Sequence, residues 1–334
     1  METSISPFFY AFAMSAAVTA LFLALLWYWR NKLPLAYPNH RSLHQQPVPR
    51  VAALALWAGF AVGVTLLASF RELAQFAVLL GGLAVLIVVS LLDDCVGVAP
   101  IYRLLIQTAV AAALVFSWLM AMPEHSFLTL IYALVSVFGI VWMTNLFNFM
   151  DGSDDLAATM TITGFAALAA AAWLSGLVWW WLPALIVTTM LPLWCINFPP
   201  AKMFLGDVGA VPLGFLVATF GGMGIVAGQW DIFFVLLVFL PFILDATLTL
   251  LRRLWRREKI WEAHKTHFYQ KLVQTGAGHR GTLLIYGALM AGCALTAVSL
   301  FQQSNALRIA FAVWLIIHLA LFATIDHNDK KATK

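Results

Sequence analysis

Apolar runs about as long as a membrane is thick recur along the whole chain, at 8–29, 51–69, 74–92, 104–122, 127–149, 156–174, 177–196, 208–227, 232–251, 282–301 and 306–325. A helix needs about 20 predominantly apolar residues to cross a hydrocarbon core about 30 Å thick. The runs are apolar on every side and do not alternate with a period of two, so they predict helices and not the strands of a membrane barrel. The fold class expected is an all-α integral membrane protein, a polytopic bundle of about eleven transmembrane helices. Its 334 residues are 63% hydrophobic and 10% charged, too little polar surface for a water-soluble globular fold. No soluble domain or long linker is left over, so residues 1–334 are expected to form one polytopic membrane domain.

Charge fixes an expected orientation. No basic residue precedes the first run, and Arg30 and Lys32 follow it directly, which suits an uncleaved anchor with its N-terminus outside. With alternating connections, 17 of the 19 lysines and arginines fall on one side and only Arg71 and Arg308 on the other. By the positive-inside rule the rich side is cytoplasmic, as is the C-terminus. Connections on the other side are short and bland, whereas 30–50, 93–103, 150–155, 197–207 and 252–281 hold nearly every unusual residue. Function is therefore expected at the cytoplasmic face of a bacterial inner membrane, where anionic phosphate-bearing partners are found; nucleic acid is not an expected partner. Cys95, Cys195 and Cys293 are scattered and near or within spans, which predicts neither a disulfide nor a zinc site.

The polar clusters carry the chemistry. Asp93-Asp94 closes the third run, where two loop acids capping a helix are the bland alternative to a base or a metal ligand. In Asn145-Leu-Phe-Asn148-Phe-Met-Asp151-Gly-Ser-Asp154-Asp155, a helical fifth run would place Asn145, Asn148 and Asp151 on one stripe. Asp154 or Asp155 would then cap the sixth span. Asn197-Phe-Pro-Pro leads into Phe204-Leu-Gly206-Asp207 at the mouth of the eighth span, where Asp207 with Asn148 or Asp151 would offer the hard oxygens that magnesium prefers. His264 and His267 lack two further zinc ligands, so contact with phosphate is the better reading. Asp245 lies inside the ninth run, open to a link with Arg252 and Arg253 or to lining a polar cleft. Residues 251–262 pattern as a short helix on the membrane surface, with Leu251, Leu254, Trp255 and Trp261 on one face. Trp179-Trp180-Trp181 reads as an interfacial aromatic belt. In 30–50, Arg41, His44 and Arg50 stand in a proline-stiffened segment, half explained by the positive-inside bias.

Together these runs resemble the polyprenyl-phosphate N-acetylhexosamine-1-phosphate transferases (glycosyltransferase family 4), membrane enzymes that initiate peptidoglycan, enterobacterial common antigen and many O-antigen lipid intermediates. The resemblance rests on Asp93-Asp94, on Asn145, Asn148, Asp151-Gly and Asp154, on Asn197-Phe-Pro and Phe204-x-Gly206-Asp207, and on the histidine loop, in order over nearly the whole chain. It implies that Asp207 and Asn148 hold Mg2+, with Mn2+ as the alternative ion. Asp93 or Asp94 would deprotonate or orient the lipid phosphate, and Asp151 would support metal and diphosphate. Asp154, Asn197 and Phe204 would hold the uridine, and His264 and His267 would contact the diphosphate. The implied partners are a UDP-N-acetylhexosamine, undecaprenyl phosphate and the bilayer, with a homodimer left open. His264-Lys-Thr-His267-Phe-Tyr-Gln looks more like the O-antigen-initiating branch than the peptidoglycan-initiating one. The chain departs from the family pattern at Asp155, where glycine is usual, after Arg50, where Val-Ala-Ala replaces a glycine-rich stretch, and after Asp93-Asp94, which lacks a third aspartate three residues on. Two other function classes compete. An ion-coupled membrane transporter would relay protons or cations through intramembrane carboxylates such as Asp245, and a non-catalytic lipid scaffold or flippase would not need Asn148 and Asp207 together.

Overall fold

The protein is described by a computed structural model covering residues 6–33, 35–36, 47–120, 126–259 and 264–332. Arg41 and His44 of the first loop, and Trp261, lie outside the described residues. In chain order the helices are α1 (Ser6–Tyr28), α2 (Ala52–Leu67), α3 (Phe70–Gln75), α4 (Ala77–Val96), α5 (Pro100–Met120), α6 (Phe127–Phe149) and α7 (Leu156–Leu174). They continue with α8 (Trp181–Asn197), α9 (Asp207–Val226), α10 (Ile232–Val238), α11 (Leu240–Trp255), α12 (Phe268–Leu272), α13 (Gly278–Leu300) and α14 (Ser304–Ala332). Two residues of β1 (Leu35–Ala36) pair antiparallel with β2 (Val48–Pro49).

Each apolar run falls on a helix. Among the described residues, 8 helices are long and apolar enough to cross a membrane, and α10 with α11 forms a ninth candidate bent by 83°. The runs at 51–69 and 177–196 form shorter apolar helices, α2 and α8, of 16 and 17 residues. Local signals set several ends. Ser69 and Glu72 form a capping box on α3, Ser126 and Thr129 one on α6, and the Asp231 carboxylate accepts from Phe233 N–H at the start of α10. These bonds satisfy helix N–H groups that have no partner within the helix.

α9 is the central helix, with 78% of its span buried, against 17% for α14 at the rim. It packs on α6, α4, α7 and α2. Gly214 permits the closest of these approaches: a Cβ there would meet the Met143 carbonyl oxygen, and Phe147 Cβ at 2.8 Å. In lipid, where helix association depends on packing and not on expelling water, such small-residue contacts hold spans together. The Trp57 indole N–H donates to Val208 O at 2.8 Å, which ties α2 to the first turn of α9.

Three expectations need correction. Trp179 and Trp181 are 6% and 2% exposed, not an interfacial belt. Trp179 stacks on Phe220 at 5.8 Å, and Trp180 lies 5.0 Å from Phe8, so the cluster serves helix packing. Residues 251–255 are the end of α11 and not a separate surface helix; Arg256 and Arg257 turn the chain, with Arg257 at φ 58°. Asp155 occupies the N-cap place of α7 without making a side-chain cap bond, in a left-handed conformation with φ 59°. Both of its carboxylate oxygens are buried without a partner. Burial, with the charge of Asp154 next to it, pushes its carboxyl up to about 8. Glycine would take this backbone without the steric cost of about 1 kcal/mol that a Cβ brings.

Gly214→Val should overpack the α6–α9 contact, lower stability by about 1–3 kcal/mol and reduce the unfolding temperature in detergent. Gly81→Ala, at a position with nothing within 4 Å of the added carbon, should leave the temperature unchanged. Asp155→Asn should stabilise in a pH-dependent way. A carboxyl at about 8 in the folded chain and 3.8 in the unfolded one leaves the folded state holding more protons between those values, so wild-type stability falls as pH rises through that window. The gain in unfolding temperature from Asp155→Asn should therefore grow from pH 4 to pH 8; a pH-independent difference would contradict the burial of an unpaired carboxyl.

Candidate active site

The site is built around the first residue of α9. Gly206 has φ 71° and ψ 178°, a conformation open to glycine and strained for other residues, and it turns the chain so that α9 starts at Asp207. The loop before it is shaped by Asn197, 5% exposed. Its Oδ1 accepts from Lys202 N–H at 3.2 Å and Met203 N–H at 3.0 Å, and its Nδ2 donates to Met203 O. The Asp154 carboxylate accepts from Ala201 N–H at 3.0 Å and fixes the other side of the same loop. Phe204 is held through its backbone: its N–H donates to Pro49 O at 2.8 Å and its carbonyl accepts from Ala52 N–H at 3.3 Å.

Around Asp207 a cleft opens between α4, α5, α6 and α9, lined in part by Ser90, Asp93, Arg103, Asn145, Asn148 and Asp207. Its volume, about 60 Å³, leaves room for a few water-sized groups. Arg103 pairs with Asp93 and reaches Asp207 Oδ2 at 3.4 Å. Asn148 Nδ2 approaches the same Asp207 oxygen at 3.5 Å. Asn145 donates to Gln107 Oε1 at 2.7 Å and to Val141 O at 2.8 Å, which joins α6 to α5. The two neighbours Asp93 and Asp94 differ in their surroundings. Asp93 Oδ1 accepts from Val98 N–H at 2.7 Å and its Oδ2 is taken by Arg103. Asp94 Oδ2 is buried without a partner.

The turn between α6 and α7 adds Asp151, which lies just past the end of α6 and not on its stripe. Burial and the charge of Asp207 hold its carboxyl well above the usual carboxylate range, against the pull of Arg50 and of the Gly206 N–H. Asp154 N–H donates to His279 Nδ1 at 3.2 Å, and Ser153 Oγ meets the same nitrogen at 3.0 Å. The same nitrogen lies 3.5 Å from Asp154 Oδ1, so His279 bridges α13 to this turn.

The histidine loop packs behind Phe149. His267 is 2% exposed, stacked 4.8 Å from His264, 6.4 Å from Phe149 and 5.7 Å from Tyr269. Asp245, fully buried, organises the loop: it accepts from the N–H groups of Phe268 and Tyr269 at 2.9 Å each and from the Tyr286 hydroxyl at 2.6 Å, and meets His267 Nδ1 at 3.3 Å. Neither reading of Asp245 made from the sequence describes this role. Arg252 pairs instead with Asp326 of α14 at 2.6 Å and Arg253 with Glu258 at 2.8 Å. Lys271 also pairs with Asp326, at 2.7 Å, and Phe268 stacks on Phe322 at 3.9 Å, so α14 clamps the loop from outside. His264 is pushed down to about 4 by burial, by His267 and by Arg253. At neutral pH it is an uncharged imidazole, not the imidazolium expected for phosphate contact.

The structure thus brings Asp93, Asp94, Asn148, Asp151 and Asp207 to one end of the bundle. It uses Asn197 and Asp154 to shape the loop before Asp207, and buries His267 one layer behind. Sequence reasoning passed over Arg103, Gln107 and His279; Arg103 was counted only as positive-inside charge, although a cation in the first turn of a span ten residues after Asp93 was a signal. Among the described residues no group of three or more His, Cys, Asp and Glu side chains is arranged to hold a metal. The donors at Asp207 are a carboxylate and a carboxamide, with the unpaired Asp94 oxygen 3.7 Å from the Cβ position of Gly206. Asn148 turns its Nδ2 toward Asp207; with the amide turned over, its Oδ1 and the Asp207 carboxylate would offer the one or two hard oxygens that a magnesium-like cation takes, phosphate and water completing its shell.

Residues 76–225 match the model of glycosyl transferase family 4, a stretch that contains every one of these cleft carboxylates. A probable undecaprenyl-phosphate N-acetylglucosaminyl 1-phosphate transferase of Bacillus subtilis is 28% identical over 86% of this chain and 83% of its own. A decaprenyl-phosphate N-acetylglucosaminephosphotransferase of Mycolicibacterium smegmatis is 29% identical over 78% and 75%. An undecaprenyl-phosphate alpha-N-acetylglucosaminyl 1-phosphate transferase of Escherichia coli O157:H7 is 23% identical over 89% and 84%. The family's region covers the whole cleft, and relatives are matched over three quarters or more of their length, so the chain is similar to glycosyl transferase family 4 in the part that carries the site.

Proposed function

We propose that this protein transfers an N-acetylhexosamine-1-phosphate from a UDP-sugar to undecaprenyl phosphate, giving a polyprenyl-diphosphate-sugar and UMP. The step would open O-antigen or related envelope-glycan synthesis at the cytoplasmic face of the inner membrane. The observation that carries the reading is the meeting of Asp207, Arg103 and Asn148 in a cleft among spans, with the unpartnered oxygen of Asp94 beside Gly206. One reactant is soluble and the other is anchored by its tail, so the reaction has to occur at the bilayer edge.

In this reaction an oxygen of the lipid phosphate attacks the β-phosphorus of the nucleotide sugar, and the bond from that phosphorus to the oxygen bridging to the α-phosphate breaks. UMP leaves with the bonding pair. Two anions must meet and a phosphoryl group must transfer, so positioning and charge neutralisation supply most of the catalysis. A magnesium ion held by Asp207 and the Asn148 carboxamide would neutralise diphosphate oxygens and polarise the reacting phosphorus. Asp93 is already bonded to Val98 N–H and to Arg103, so it positions the guanidinium. Asp94 carries the unpaired oxygen and is the carboxylate assigned to take a proton from, or orient, the attacking phosphate. Asp151 would support the metal and diphosphate, Asp154, Asn197 and Phe204 would hold the uridine, and the sugar would be read near the histidine loop, the reading that favours the O-antigen branch. The carrier reading loses its main support, because Asp245 is saturated by hydrogen bonds from the loop it holds.

The test is UMP release by purified protein with undecaprenyl phosphate and a panel of UDP-N-acetyl sugars, with and without magnesium. Release should require both lipid phosphate and metal. Asp207→Asn and Asp94→Asn should each lower kcat by at least about 100-fold without changing the unfolding temperature much. Asp93→Asn should cost less in kcat and more in stability, since it takes from Arg103 the nearer of its two carboxylate partners. No release with any sugar, or near-normal turnover by Asp207→Asn, would contradict the reading.

A further inference from the structure

Two guanidinium groups act on the carboxylates of the site, Arg103 in the cleft wall and Arg50 beside Gly206, and they differ in what they are doing. Arg103 is committed to Asp93 and Asp207. Arg50 is exposed, and among the described ion pairs none engages it. Its place in the fold is nevertheless tightly set. The segment it belongs to is stitched to the loop before α9 on both sides, by Phe204 N–H to Pro49 O at 2.8 Å and Ala52 N–H to Phe204 O at 3.3 Å. A Cβ on Gly206 would lie 3.5 Å from Arg50 O, 3.8 Å from Arg50 Cβ and 3.7 Å from Asp94 Oδ2. The main chain of Arg50 therefore stands against the residue that precedes Asp207, next to the unpaired oxygen of Asp94.

The direction of its charge agrees. The positive field of Arg50 acts on Asp94 at the end of α4, on Asp151 past α6 and on Asp207 at the start of α9, three carboxylates from three elements. A cation whose charge reaches these acids, and which is bonded to none of them, is free to take an incoming anion. A guanidinium presents paired donors that match two oxygens of a phosphate. Of the other cations in these loops, Arg253 pairs with Glu258 and Arg280 lies over the Phe198 ring at 5.4 Å, while Lys202 is exposed in the loop before Asp207 and offers a single ammonium without paired donors.

We propose that Arg50 is the phosphate-binding residue of the site, its guanidinium taking phosphate oxygens of a substrate at the point where Gly206 and Asp94 meet. The assignment rests on the reaction proposed above. The phosphate belongs either to the nucleotide-sugar diphosphate or to the polyprenyl phosphate. Arg50 gains this place through the backbone pairing of 49–52 with 204, a contact that no local pattern in the sequence announces.

The experiment uses the full chain in lipid nanodiscs. For wild type, Arg50→Lys and Arg50→Ala it measures KM for each substrate, Kd for UDP and for undecaprenyl phosphate without turnover, and the unfolding temperature. Arg50→Ala should raise KM and Kd for one of the two anions by about 10- to 100-fold. Arg50→Lys should recover part of the loss, because the charge remains and the paired donors do not. The unfolding temperature should stay unchanged, since the side chain is exposed. The arm that weakens names the source of the phosphate, and weakening of both would mean a shared subsite. Unchanged KM and Kd for both anions in Arg50→Ala would overturn the assignment. A wild-type chain that binds these anions without releasing UMP would overturn the transfer reaction, and weaker binding by Arg50→Ala would then still support the subsite.

Discussion

The site depends on how closely α9 can approach α6. Gly214 lets the two backbones meet where any side chain would strike the Met143 carbonyl or Phe147, and that contact, two turns below the cleft, sets the distance at which Asn148 can reach Asp207. Lipid offers no hydrophobic drive for helices to associate, so complementarity of this kind is what orders a bundle. The remaining spans are arranged around the pair. α4 and α5 bring Asp93, Asp94 and Arg103, α2 is fastened to α9 through Trp57 and Val208, and α7 and α8 carry the turn and loop that bonds from Asp154 and Asn197 hold in shape.

Charge is the second constraint, and it explains why bonded and unbonded groups alternate. Asp93, Asp94, Asp151 and Asp207 could not stand close together at a membrane edge without cations or hydrogen bonds to offset their repulsion. Arg103 and Val98 N–H satisfy Asp93, Gly206 N–H and the field of Arg50 act on Asp151, and Arg103 with Asn148 serves Asp207. Within this set Asp94 keeps one oxygen without a partner and Arg50 stays exposed, the two groups on which the proposed substrate contacts rest. The histidine loop repeats the logic one layer out. Asp245 absorbs two backbone N–H groups and a tyrosine hydroxyl, so that a segment with no regular pairing of its own can stand beside Phe149.

Much of this was legible in the chain. Long apolar runs marked the helices, and carboxylates and amides that have no place in hydrocarbon marked the end of the bundle where α4, α6 and α9 terminate. Asn148 and Asp207, 59 residues apart, come within 3.5 Å of each other, and the sequence marks both because each interrupts an apolar run at a span end. The parts that were missed are those set by packing at long range. Arg103 looked like one more positive-inside cation until α4 and α5 closed on each other. Asp245 looked like a functional intramembrane charge because its partners are 23, 24 and 41 residues away. The tryptophan triplet suggested an interface because composition carries no information about which neighbours, here Phe220 and Phe8, will cover a ring. Asp155 looked like a helix cap because an acid before an apolar run usually is one; its left-handed backbone turns the carboxylate away from that duty.

The account's central claim is that the cleft passes a sugar together with its phosphate, and does not pass the sugar alone. Donor labelled with 32P at the β-phosphorus separates the two outcomes directly when wild-type protein is incubated with undecaprenyl phosphate and the products are partitioned between solvent and water. The account predicts that the label moves into the lipid phase while unlabelled UMP appears in the water. Label left in water as UDP, with sugar alone on the lipid, would contradict it.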